Sequence, residues 1–169
     1  YIGIKESKKS TNLMVIFKLA VIVGIIILGF FYVDTDNWTP FLPNGFGGVL
    51  AGVSAVFYAY IGFDAISTTA EECKDPQRDL PKGMIYSLLI CTVLYILVSL
   101  VLTGMVKYSD LDKAAPVASA FSGIGINWAV FIITIAATAG LTSVMLVMML
   151  GQTRIFLGMA KDGLMPAFF

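Results

Sequence analysis

The sequence contains no histidine, so the side chain that most often ligates metals or acts as a base near neutral pH is missing. No P-loop or G-x-S-x-G string occurs, which removes the phosphate cradle and the nucleophile elbow of two large enzyme classes. Charge is scarce. Only 13% of the 169 residues are Asp, Glu, Lys or Arg, against about 25% in soluble domains. The formal net charge is zero and the basic residues form no continuous stripe, so a nucleic-acid partner has no electrostatic footprint. The two cysteines, Cys73 and Cys91, form no CxxC pair. One falls in a polar stretch and the other in an apolar run, so neither a disulfide nor a metal site is expected, and no cofactor is implied. The opening residues YIGIKESKKS lack the charge, apolar core and cleavage site of a signal peptide. With the abrupt end at LMPAFF, they lead us to expect a fragment of a longer chain.

Apolar residues are what the chain has in abundance, at 58%. Several runs reach the roughly 20 residues that cross a bilayer, so an all-α integral membrane protein is expected. Four spans are predicted, at about 12–33, 46–70, 84–106 and 128–149, the last continuing as a helix into GQTRIFLGMAKDG. Turn residues fill the stretches between them. Lys and Arg outside the spans divide eight to two between alternate sides. The positive-inside rule then puts both chain ends and the loop 71–83 in the cytoplasm. Tyr32, Trp38, Tyr108 and Trp128 would mark the outer interface.

Two ionisable side chains, Lys18 and Asp64, fall well inside the spans. Each costs about 2.5–3.5 kcal/mol there on insertion scales, which makes each a functional candidate. Asp64 follows Gly62 in FYAYIGFDAIS, and glycine weakens a helix by about 1 kcal/mol relative to alanine. A helix interrupted there would free carbonyls on its first half, which attract an ammonium, and amides on its second. Asp64 would stand where the second half begins, either as a simple N-cap or beside a substrate or proton site. Lys18 either snorkels toward the headgroups or stays buried, loading and releasing a proton or replacing a coupling sodium. Thr138, Thr142 and Ser143 bring hydroxyls to an otherwise apolar span. Helix packing is their simplest use, while Thr142 and Ser143 could also ligand a cation or accept a hydrogen bond from Lys18. EECKDPQRDLP reads as a solvated turn, or as a gate of changing ion pairs.

The string FYAYIGFDAISTTAEECKDPQRDLPKG resembles the sixth-helix signature of the amino acid–polyamine–organocation superfamily, particularly its cationic amino acid transporter branch. AGLTSVMLVMMLGQTRIFLGMAKDGLMP is similar to the eighth helix and following loop of that branch. The resemblance runs through nearly the whole chain. It implies helices five to eight of a leucine-transporter-like fold of two inverted five-helix repeats, with the second span broken. By position, Tyr58 takes the place of the gating aromatic, usually phenylalanine or tryptophan. The carbonyls near Tyr58, Ala59 and Ile61 would receive the substrate amino group, Gly62 would leave room for it, and Asp64 matches the acid after the break. Lys18 matches the lysine of proton-coupled members, and Thr142 and Ser143 match the sodium-binding hydroxyl pair of sodium-coupled ones. The implied partners are an amino acid, protons, the lipid bilayer and the missing helices. The glycine-rich break of helix one is absent from this sequence, so the chain is not expected to transport alone. A non-transporting receptor or assembly subunit of the same fold is the alternative reading. A membrane enzyme lacks its catalytic residues.

Overall fold

The computed structural model of the chain describes the backbone of residues 4–164 and the side chains of 11–164 other than 64, 69, 71 and 72. Among the described residues there are five α-helices and no strand: α1 (Ile4–Phe30), α2 (Gly45–Tyr58), α3 (Pro76–Met105), α4 (Pro116–Gly123) and α5 (Asn127–Lys161). Short 3-10 segments lie at Thr35–Trp38 and Phe63–Glu72. Among the described residues three stretches are long and apolar enough to cross a membrane, namely Thr11–Phe30, Pro76–Met105 and Asn127–Lys161. At 1.5 Å per residue α5 is about 50 Å long, more than the roughly 30 Å of hydrocarbon, so one end must project beyond it.

The second expected span, 46–70, is not one helix. Its α-helical part, α2, stops at Tyr58 after 14 residues, about 21 Å, and is too short to cross by itself. The stretch 71–83, read as a loop, becomes helix from Pro76 onward. The Asp75 carbonyl accepts from the N–H groups of Arg78 and Asp79 at 3.2 and 2.8 Å. Pro76 at the first helical position needs no partner for the N–H it lacks. The apolar run inside α3 still begins only near Met84. The stretch between the third and fourth spans also holds a helix that sequence reading missed, α4, with proline in its first turn.

The contacts divide the chain into two units. The first comprises Tyr1–Leu50 with Thr92–Ser143. Its core joins Val101, Leu102 and Met105 of α3, Ala120 and Phe121 of α4, and Ala129 and Ile133 of α5, with Ile25, Ile26 and Leu28 of α1 packed against them. Phe121, at 0% exposure, anchors it. The α3 end is held by the turn after α1. The Gly104 carbonyl accepts from the Asp34 N–H at 2.9 Å and from Asn37 Nδ2 at 2.8 Å, and Trp38 Nε1 donates to Thr103 Oγ1 at 3.2 Å. A side chain on Gly104 would meet Val33 Cγ1 at 2.7 Å, so only hydrogen fits. The second unit, Ala51–Cys91 with Val144–Phe169, contains the helix interruption.

Candidate functional site

The interruption follows from one residue. Gly62 has φ +105° and ψ −5°, a left-handed conformation that a side chain disfavours. Up to it, the chain tightens into i→i+3 bonds. Ala59 donates to Val56 at 2.9 Å, Tyr60 to Phe57 at 3.1 Å and Ile61 to Tyr58 at 3.3 Å. Beyond it, the chain re-enters a helix as the ten-residue 3-10 segment, and not as the α-helix the sequence suggested. Gly62 occupies the cap position and Phe63 the first turn, so Asp64 lies two residues past the cap and not at the N-cap position that one of its two readings gave it. Its side chain is outside the described residues.

The carbonyls assigned to a substrate amino group are thus carried by a turn. The Tyr58 carbonyl already accepts from Ile61 and keeps one lone pair for a further donor. The side chains of Tyr58 and Ile61 are 72% and 60% exposed. Beside the turn lies a cleft of about 480 Å³, within the size range of small-molecule sites. Gly62, Ala65 and Thr68 line one wall, and Met148, Gly151 and Gln152 of α5 the other. A side-chain carbon on Gly62 would come within 2.8 Å of Met148 Cε. Met148 therefore supplies the neighbour that fits against the glycine. Met148, Gly151 and Ile155 recur at helical spacing (i, i+3, i+7), and that signal was open to reading.

In the first unit, Lys18 and Ser143 come together. Lys18 Nζ donates to Ser143 Oγ at 3.4 Å, longer than the roughly 2.7–2.9 Å of a tight charge-assisted bond. Ser143 Oγ in turn donates to the Gly140 carbonyl at 2.8 Å. Ser143 is 1% exposed and continues the buried stripe of Ala129, Ile133 and Ala136 along α5. Thr142 does not join it. One residue turns a helix by about 100°, which places Thr142 on the exposed row of Thr134 and Thr138. Its hydroxyl donates to the Thr138 carbonyl at 2.9 Å. The expected hydroxyl pair is therefore split between two faces, and only one member reaches the lysine. Among the described residues no group of three or more Cys, Asp or Glu side chains is placed to hold a metal ion.

A sequence model of the amino acid permease family matches residues 1–169. The branched-chain amino acid permease BcaP of Bacillus subtilis (strain 168) is 49% identical over 167 residues, 98% of this chain and 36% of that protein. The chloroplastic cationic amino acid transporter 9 of Arabidopsis thaliana is 48% identical over 99% of the chain and 29% of its own length. The methylthioribose transporter of Bacillus subtilis (strain 168) is 46% identical over 99% of the chain and 36% of its length. The chain spans about a third of the length of these relatives.

Proposed function

This chain belongs to the amino acid permease family, and from that premise we propose that it is the four-span part of a secondary transporter moving an amino acid by alternating access. The observation that carries this reading is the interruption at Gly62, with positive φ, in a chain with three helices apolar and long enough to cross a membrane. Broken backbone is stable at membrane depth only where protein or a water-filled cavity surrounds it. Carbonyls at the end of α2, around Tyr58, Ala59 and Ile61, receive the substrate ammonium by the partial negative charge of a helix C-terminus. Gly62 admits the group closely, Asp64 acts beside the substrate or proton site, and the interrupted second span, with the three long helices, completes four crossings. The membrane-spanning part of the chain is all-α, within an inverted-repeat fold completed by the missing helices.

Lys18 couples transport to protons. Its ammonium, held by Ser143, supplies a positive charge where a sodium ion would otherwise sit, and its loss and gain of a proton tie the cycle to the pH gradient. Thr142, on the neighbouring face, serves the same helix and not the lysine. Both chain ends and residues 71–83 face the cytoplasmic side of a cell membrane in this reading.

The test is uptake by the full-length protein in liposomes, with and without an inward proton gradient. The panel holds branched-chain and cationic amino acids together with methylthioribose. Accumulation of at least one amino acid above its equilibrium level, dependent on the gradient, is expected. Binding of an amino acid without uptake would favour a receptor or assembly role instead.

A further inference from the structure

The 3-10 segment Phe63–Glu72 is ten residues long, whereas 3-10 runs beyond three or four residues are uncommon and often mark hinges. Its sequence, FDAISTTAEE, explains why an α-helix does not displace it. Ile66, Ser67, Thr68 and Thr69 are all weak α-formers. In a 3-10 helix residues three apart eclipse one another, so Gly62, Ala65 and Thr68 stand in one straight row of small side chains. That row lines the cleft opposite Met148 and Gly151. Thr68 closes its own turn by donating to the Ala65 carbonyl at 2.7 Å. The segment lies within ordinary van der Waals reach of the neighbouring helices: a side chain on Gly151 would lie 4.0 Å from Thr68 Oγ1, and one on Gly83 would lie 3.9 Å from Ile66 Cγ2.

We propose that Phe63–Glu72 is a two-state element that converts between 3-10 and α-helix during the transport cycle, pivoting at Gly62 and closing or opening the cleft against α5. An α-helix rises 1.5 Å and turns 100° per residue, against about 2.0 Å and 120° for the 3-10 form. Over the ten steps from Phe63 to Cys73, conversion shortens the segment by about 5 Å and rotates its far end by about half a turn. The row of Gly62, Ala65 and Thr68 then twists away from α5. Gly62, with its freedom at positive φ, absorbs the change at one end. Cys73, already extended (φ −86°, ψ 145°), absorbs it at the other. The cleft beside the row provides the space.

The inference rests on the transport reading only for its trigger, so the two can fail separately. Spin labels at Phe63→Cys and native Cys73, in full-length protein whose other cysteines, Cys91 included, are replaced by serine, report the segment's length in liposomes. If Phe63→Cys fails to fold, a label at Tyr60 spans the same segment. Two distance populations about 5 Å apart are expected, shifting in weight when a transported amino acid or a proton gradient is added. A single unchanged distance while uptake proceeds would overturn the switch and leave transport standing. If the unlabelled protein takes up no amino acid, the transport reading falls. The switch is then judged without solute, where two populations support it and one overturns it.

Discussion

Replacing Gly62 by alanine tests the interruption through two separable penalties. The backbone there has φ +105°, and holding a residue with a side chain in such a conformation costs roughly 1–3 kcal/mol. The added methyl also meets Met148 Cε at 2.8 Å. That atom ends a flexible chain, so a rotamer change of about 0.5–1.5 kcal/mol relieves the clash. Together the penalties lower the population of the interrupted conformation by roughly ten- to a thousand-fold, at 1.4 kcal/mol per tenfold. Initial uptake rate and thermal unfolding of the full-length variant measure the effect, and both are expected to fall. Adding Met148→Ala to Gly62→Ala removes only the steric part and leaves the backbone part. Wild-type uptake and melting in Gly62→Ala would refute the claim that this glycine holds the turn. Full rescue by Met148→Ala would assign the whole effect to contact, and none to the backbone.

Three further outcomes are expected. Gly104→Ala forces its methyl into Val33 and Trp38 and should destabilise the full-length protein by about 1–3 kcal/mol, as overpacking does, read as a lower melting temperature with the substrate ranking retained. Ser143→Ala strips Lys18 of its 3.4 Å acceptor and should reduce gradient-driven accumulation about fivefold, for a weak bond worth about 1 kcal/mol; Thr142→Ala, whose hydroxyl bonds its own helix, should cost less, and equal losses would contradict the split between faces. Asp64→Asn should impair uptake, and normal uptake kinetics would confine Asp64 to a local backbone role.

The long helices were legible because apolar length is a property of composition, and the site of the interruption because glycine beside an acid is out of place in a membrane helix. The 3-10 form of Phe63–Glu72 was not legible. Weak α-propensity in Ser and Thr says that an α-helix is unfavoured but not which form replaces it, and the residues across the cleft, Met148 and Gly151, lie some eighty positions further along. The helix Pro116–Gly123 was missed although Pro116 at its start and Gly123 at its end are standard punctuation. Eight residues carry too short a periodicity to stand out among turn formers. Trp38 was read as an interface residue from its type alone. Its bond to Thr103 links positions 65 apart, a pairing that spacing does not reveal. Thr142 and Ser143 looked like a pair because they adjoin in sequence. The helical spacing of Ala129, Ile133, Ala136 and Ser143 already separated them.

The measurement that bears most directly on the proposed mechanism is amino acid accumulation by the full-length protein and its Lys18→Met variant in the same liposomes, with and without a pH gradient. Gradient-driven accumulation should appear in the wild type and collapse to equilibrium filling in Lys18→Met if the Lys18 ammonium carries the coupling proton. Undiminished accumulation by the variant would contradict the account.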